Sequence, residues 1–172
     1  MSQHAADDPA YELVSLYDRA LPEVYGYLVA RCGQRSVAEE LTSETFMAAV
    51  DAVRRGGPAV TIPWLIGTAR HKLVDHWRGQ AREERSLRAI GEEAAPEEDP
   101  WDVRLDAVHA RSTLAQLGPH HRAALTLRYL DDLPVPEVAA LLGRTVHATE
   151  ALLVRAKSAF RRAYSAGGGC DA

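Results

Sequence analysis

The sequence predicts an all-α protein: two small helical domains joined by a flexible acidic linker, the second domain a helix-turn-helix. Three observations carry this. Apolar residues recur at helical spacing in almost every segment, and strand-like alternation is nearly absent. Hydrophobic residues make up 47% of the 172, enough to pack a core and too many for a disordered chain. One stretch, GEEAAPEEDPWD (Gly91 to Asp102), breaks the pattern with six acidic residues, no basic ones and two prolines. That composition cannot bury a core and reads as a tether. The expected layout is a first domain over 10–88, a linker over 89–103, a second domain over 104–164 and a flexible tail over 165–172.

In the first domain, Leu13, Leu16, Tyr17 and Ala20 form one apolar stripe, continued by Val24, Tyr25, Leu28 and Val29 beyond Pro22. Proline lacks the N–H that the helix ladder needs, so a kink or restart is expected there. Gly33 ends this piece. Ser36 and Glu39 have the spacing of a capping box for the next helix, whose Val37, Leu41, Phe46, Val50 and Val53 are apolar. RRGGP stops that helix at Gly56 to Pro58. Thr61 is the expected cap of a third helix, with Pro63 tolerated in its first turn. This helix runs from about Ile62 into the Arg82–Arg88 region.

After the linker, Val103 to Leu117 reads as a helix ended by Gly118 and Pro119. Pro119 to Tyr129 is a second helix and DDLP a turn. Pro136 to Leu142 is a short third helix with Gly143 as its C-terminal stop. Thr145 caps the last helix, which runs to about Tyr164, and SAGGGCDA is the tail.

Charge and cysteine content narrow the function classes. With 20 Lys and Arg against 24 Asp and Glu, the net charge is −4. A uniformly basic nucleic-acid binder is excluded, and only a local patch can neutralise phosphates. Cys32 and Cys170 lie far apart, which is neither a disulfide framework nor a zinc pattern. A reduced, cytoplasmic setting is expected. The opening MSQHAADDPA has no basic stretch followed by an apolar one, so no signal peptide is expected. No apolar run approaches the roughly 18–20 residues of a membrane span, so no membrane insertion is expected.

Two stretches carry candidate nucleic-acid chemistry. The first is LPVPEVAALLGRTVHATEALLVRAKSAFRRAY. Val138, Ala139 and Leu142 pack its short helix, Gly143 permits a tight turn, and Val146 and Leu153 are expected to point back to the core. The last helix then presents Arg144, Thr145, His147, Ala148 and Glu150 toward a DNA groove. Arg155, Lys157, Arg161 and Arg162 lie further along, as phosphate contacts. An ordinary helical hairpin shares this pattern, as do repressors and response-regulator output domains. The second stretch is the net-basic run from Arg70 to Arg88, where Arg70, Lys72, Arg78, Arg82, Arg85 and Arg88 outnumber Asp75, Glu83 and Glu84. Trp64, Trp77 and two histidines lie among the charges. Cations hold phosphates while planar side chains stack on unpaired bases. For Trp77, core packing is the favoured role.

Three segments resemble one family. AEELTSETFMAAV (Ala38 to Val50) is similar to the acidic helix with which sigma factors grip RNA polymerase, of pattern Ala-Glu-Asp-Leu-x-Gln-Glu-x-Phe. Glu40 stands for the Asp and Ser43 for the Gln. PWLIGTARHKLVDHWRGQAR (Pro63 to Arg82) is similar to the helix that opens and reads the −10 element. Trp64, Leu65, Ala69, Arg70, Asp75, His76 and Arg78 match its pattern, with His71 in place of Asn. With the helix-turn-helix in the right order, the chain over about Tyr11 to Tyr164 resembles a group IV, extracytoplasmic-function sigma factor of the sigma-70 family.

The resemblance implies that Glu39, Glu40, Leu41, Glu44 and Phe46 dock on the β′ coiled coil of core polymerase. It further implies that Trp64, Arg70, His71, Lys72, Asp75, His76, Arg78 and Arg82 bind the −10 element. Arg144, Thr145, His147, Ala148, Glu150, Arg155 and Lys157 then bind the −35 element, and the second domain also meets the β flap. The implied pocket for a flipped base is shaped partly by the loop Arg54 to Ile62, which is Gly-rich and poor in polar readers. The tether is implied to thread the polymerase active-site cleft and RNA exit channel. An anti-sigma protein is a further implied partner.

Two departures bear on DNA reading: Glu150 stands where the family has Lys, and Leu152 where it has Arg. Glu150 repels phosphate unless it accepts from a cytosine amino group, and Leu152 cannot hydrogen-bond a base edge, so an unusual −35 preference is expected. No enzyme activity and no cofactor are expected. Two other readings stay open at this stage: a free-standing helix-turn-helix regulator with a sensory or dimerisation domain, and a metal enzyme built on HKLVDH. In the second, His71 and Asp75 share a helix face, but His76 lies roughly 100° further round.

Overall fold

The computed structural model describes residues 9–87 and 106–167, and all regular elements among them are helical. They are α1 (Pro9–Cys32), α2 (Arg35–Arg54), α3 (Ile62–Leu87), α4 (Ala107–Gln116), α5 (Pro119–Leu125), a π-helical turn (Thr126–Leu130), α6 (Val135–Leu142) and α7 (Val146–Gly167). The chain forms two compact units, one through Leu73 and one from Val74, the division falling within α3. The acidic linker lies outside the described residues, as do Cys170 and the last residues of the tail.

In the first unit, α1 packs on α2. Ala20, Val24, Leu28 and Cys32 recur every fourth residue on α1 and are buried, the spacing of one helix face. Ala38, Leu41, Phe46 and Ala49 are buried on α2. Ala20, Ala38 and Ala49 are completely covered, small side chains that leave room for close packing. Two buried hydroxyls satisfy themselves locally: Thr42 donates to the Ala38 carbonyl at 2.6 Å and Thr45 to that of Leu41 at 2.7 Å.

Two expectations for this unit are corrected. Helix α1 runs through Pro22 as one element, so the chain does not restart there. Pro22 is exposed, so the carbonyl it leaves without an N–H partner can be hydrated. The Ser36–Glu39 capping box does not form: α2 starts at Arg35 behind Gln34, with no side-chain cap bond. The tight connection through Gly33, in the left-handed region at φ 70°, brings the helix start forward past Ser36.

The cap of α3 is as expected. Thr61 Oγ1 accepts from the Trp64 N–H at 3.3 Å, and its carbonyl from the Leu65 N–H at 2.9 Å. Leu65, Ala69, Leu73, Val74, Trp77 and Ala81 are buried along α3, so one apolar stripe extends over roughly four and a half turns.

The second unit is organised around α7, which packs against α4, α5 and α6. Thr149, Leu152, Leu153, Ala156 and Phe160 form its buried stripe. Helix α4 begins at Ala107 behind an Asp106 cap, a signal not read from the sequence. The Asp106 carboxylate accepts from the Val108 and His109 N–H groups at 3.0 and 2.8 Å. The other end of α4 is closed by Arg122, whose guanidinium donates to the carbonyls of Leu114, Ala115 and Leu117. Tyr164 ties the far end of α7 to α4: its hydroxyl accepts from the Asp106 N–H at 2.9 Å, and its carbonyl lies 3.0 Å from His109 Nε2. The helix continues beyond Tyr164 to Gly167.

The expected helix Pro119 to Tyr129 widens into a π turn after Leu125, where the Asp131 N–H reaches back five residues to the Thr126 carbonyl at 3.0 Å.

Candidate nucleic-acid and partner interfaces

Helix α3 supports one candidate DNA face. Trp64, His71, Asp75, Arg78 and Arg82 fall within roughly 40° of a single line on an ideal helix, opposite the buried stripe. The four charged or imidazole side chains are exposed and Trp64 is half-buried. Lys72 stands on the flank of this line. Arg70 and His76 lie nearer the buried side and are partly covered, so they sit at the edges of the face. Trp77 is 1% exposed and belongs to the core. Asp75 pairs with Arg78 at 3.7 Å, one turn apart.

The first unit presents a second surface. On α2, Glu39, Glu40 and Glu44 are exposed. Leu41 is buried, so it supports the acidic face from beneath. Phe46 is 9% exposed and meets the Tyr17 ring edge-on, with centroids 4.8 Å apart. This pair floors a cleft of about 610 Å³ between α1 and α2, lined by Leu13, Val14, Tyr17, Asp18, Leu21 and Tyr25 on one side and Glu39, Thr42, Ser43, Phe46, Met47 and Val50 on the other. Val14 and Met47 are 69% and 59% exposed. The α1 wall was missed from the sequence, where Leu13 and Tyr17 read as core positions. Glu44 also has a partner on α3: its Oε2 lies 3.3 Å from Lys72 Nζ.

In the second unit, α6 ends at Gly143, which adopts the left-handed conformation at φ 63°. Thr145 then caps α7, its Oγ1 accepting from the Ala148 N–H at 3.2 Å. Thr145, His147 and Glu150 are exposed, and Arg144, Ala148, Arg155 and Lys157 are partly covered. Two expectations here are corrected. Val146 is 44% exposed: as the first residue of α7 it precedes the packed stripe and stands outside the core. Leu152 is 3% exposed and lies within that stripe, so its departure from the family pattern changes packing and removes nothing from the outward face.

Electrostatics concentrate at the start of the helix-turn-helix. Arg85 Nη2 lies 3.2 Å from His120 Nε2. Burial first, then Arg144, Arg85 and His121, push the His120 pKa down to about 4. Burial likewise lowers the Arg144 pKa, helped by Arg85 and Arg155. Lys157 stands over the Tyr129 ring at 5.6 Å and Arg128 at 5.5 Å, so an exposed aromatic on the π turn touches a cation of α7.

For a metal centre the geometry offers little. His76 is turned away from His71 and Asp75, and among the described residues no three His, Cys, Asp or Glu side chains gather around a metal-sized space. No described helix is long and apolar enough to cross a membrane.

This geometry has relatives. The sigma-70 region 2 family matches residues 16–83 and the sigma-70 region 4 family residues 110–160. The chain is 32% identical over 150 residues to the ECF RNA polymerase sigma factor BldN of Streptomyces coelicolor, covering 82% of this chain and 56% of that protein. It therefore spans little more than half of BldN. It is 31% identical over 133 residues to the RNA polymerase sigma factor CarQ of Myxococcus xanthus, covering 74% of this chain and 75% of CarQ. Among solved structures its fold is similar to that of the sigma factor RpoE, in complex with the anti-sigma factor NepR, from Bartonella quintana. The TM-score is 0.54 at 17% identity, covering 90% of this chain and 97% of that one. The order of the two matched regions, together with the CarQ relationship, shows that the chain belongs to the sigma-70 family of RNA polymerase sigma factors, in its extracytoplasmic-function group.

Proposed function

We propose that this sigma factor directs core RNA polymerase to a subset of promoters by dividing three contacts among three helices. Helix α2, with the cleft it forms against α1, docks on the β′ coiled coil through Glu39, Glu40 and Glu44 around an apolar floor. Helix α3 holds the opened −10 element on the line from Trp64 to Arg82. Helix α7 lies on the −35 duplex through Arg144, Thr145, His147, Ala148 and Glu150, with Arg155 and Lys157 on the backbone. The second unit also meets the β flap. The chain contributes binding and positioning and carries out no bond chemistry, and it acts in the cytoplasm. An anti-sigma protein is a further partner of this reading, since the similarly folded RpoE was solved with one.

The observation that carries the proposal is the separation of charge in a chain of net charge −4. An exposed acidic face sits on α2, bordering the apolar cleft at Glu39, and a cationic face tipped by an aromatic ring sits on α3. Complementary charge gives partner choice and orientation, and single-stranded DNA asks for cations and rings together.

Run-off transcription with core polymerase over a promoter library tests it. Transcripts are expected from a subset of templates only when this chain is added. Arg78→Ala with Arg82→Ala should lower them by about tenfold or more, since two backbone cations are lost. Tight, sequence-specific duplex binding without polymerase, and no run-off product with it, would favour a free-standing regulator and overturn the proposal.

A further inference from the structure

The Glu44–Lys72 ion pair joins the two surfaces that the proposed function separates. Glu44 belongs to the acidic face of α2, and Lys72 flanks the DNA-facing line of α3. Oε2 and Nζ are 3.3 Å apart, with side chains 46% and 37% exposed. Both groups are therefore reachable by a partner, and each neutralises the other when no partner is present.

From this we infer that the pair acts as a coupler: it keeps Lys72 from single-stranded DNA in the free chain, and polymerase docking on Glu44 releases it. This rests on the functional reading above. A phosphate approaching paired Lys72 meets a carboxylate beside the ammonium. The pair has no net charge, so paired Lys72 neutralises no phosphate and displaces none of the cations condensed on the DNA, the release of which drives binding. A polymerase cation that draws Glu44 away leaves Lys72 as a full positive charge at the edge of the face. Coupling between two binding events is reciprocal, so DNA held by Lys72 favours polymerase on Glu44 to the same extent. The pair is exposed to solvent and screened, which sets the expected coupling at about two- to five-fold.

The test is a double-mutant cycle on the full chain without polymerase, using fluorescence anisotropy of a short labelled single-stranded DNA of random sequence at low salt. Glu44→Gln should tighten binding about two- to five-fold. In a Lys72→Met background the same change should gain nothing, because no cation is there to release. Glu40→Gln, one turn earlier on the same exposed face, reports the general effect of removing one negative charge and should gain less than Glu44→Gln.

The inference is overturned if Glu44→Gln binds no tighter than the unaltered chain, undetectable binding included. It is also overturned if the gain is equal in the Lys72→Met background or matched by Glu40→Gln. Run-off transcription by the unaltered holoenzyme separates the two levels. An active holoenzyme with a flat cycle removes the coupling alone, whereas an inactive one removes the functional reading beneath it.

Discussion

Helices α3 and α7 each bury one apolar stripe and turn the opposite face outward, but they dress that face differently. Along α3 the outward line carries Trp64, His71, Asp75, Arg78 and Arg82, with two long cations at its C-terminal end and Lys72 on its flank. At the start of α7 the outward residues are Thr145, Val146, His147 and Glu150, short or uncharged apart from one carboxylate. Arg144, just before the cap, is partly covered, and further cations come only at Arg155 and Lys157 along the helix. The contrast suits two DNA states. Unpaired strands are held by charge and stacking, whereas a duplex groove is read by short side chains on base edges, with phosphates gripped at a distance.

The largest expected effect separates the two tryptophans of α3. Trp77→Ala removes a side chain that is 1% exposed, and large-to-small changes at such sites cost about 3–5 kcal/mol. A fall of that size in the unfolding free energy is expected in urea titrations. Trp64→Ala should leave the unfolding midpoint close to that of the unaltered chain and lower promoter opening, followed by fluorescence of a base analogue in the −10 element. If Trp64→Ala unfolds the protein as Trp77→Ala does, the two faces of α3 are not distinct.

That division was legible in the sequence because helical periodicity fixes which residues share a face, and Trp77 lies four residues from both Leu73 and Ala81. The same periodicity runs through Thr149, Leu152, Leu153, Ala156 and Phe160, and it would have placed Leu152 inside. A residue-by-residue match to the family pattern assigned Leu152 to an arginine position and overrode the spacing. Local signals at helix ends were uneven. Gly143 and Thr145 were readable because a left-handed residue and a hydroxyl cap each do one job. Ser36 and Glu39 had the right spacing, but the turn at Gly33 started the helix earlier. The α1 wall of the cleft and the Glu44–Lys72 pair were not legible. They depend on how helices pack against one another, and no spacing within one helix encodes that.

An intermediate effect is expected at Glu150, the one carboxylate on the outward face of α7. Glu150→Lys replaces a group that repels phosphate with one that attracts it. Binding of the holoenzyme to promoter duplex should strengthen at low salt, and the slope of affinity against salt should steepen by about one. If Glu150 accepts from a cytosine amino group, the change also relaxes preference at one base pair by about 1–3 kcal/mol. Promoter choice and strength measured over a −35 library decide the matter. No change in either would mean that Glu150 does not face DNA, and α7 would resemble α3 in reading chiefly through its cations.

The smallest expected effect is electrostatic and belongs to the second unit alone. His120 has a folded pKa of about 4 against an ordinary 6.5, set by burial first and then by Arg144, Arg85 and His121. Folding thus favours the neutral ring, whose Nε2 can accept from Arg85. Above pH 6.5 both folded and unfolded chains hold His120 neutral, and its contribution to stability is complete. As the pH falls from 6.5 toward 4 the unfolded chain takes up the proton first, so stability is lost across that window. The ring is half-exposed, and solvent screening keeps the loss well below what the full shift would give. Urea midpoints at pH 7.5 and pH 5 should fall further for the unaltered chain than for His120→Gln, which removes the titrating group but keeps an acceptor. Equal falls in the two proteins would mean that His120 titrates normally and that the cationic cluster at the head of the helix-turn-helix is more open to water than its packing indicates.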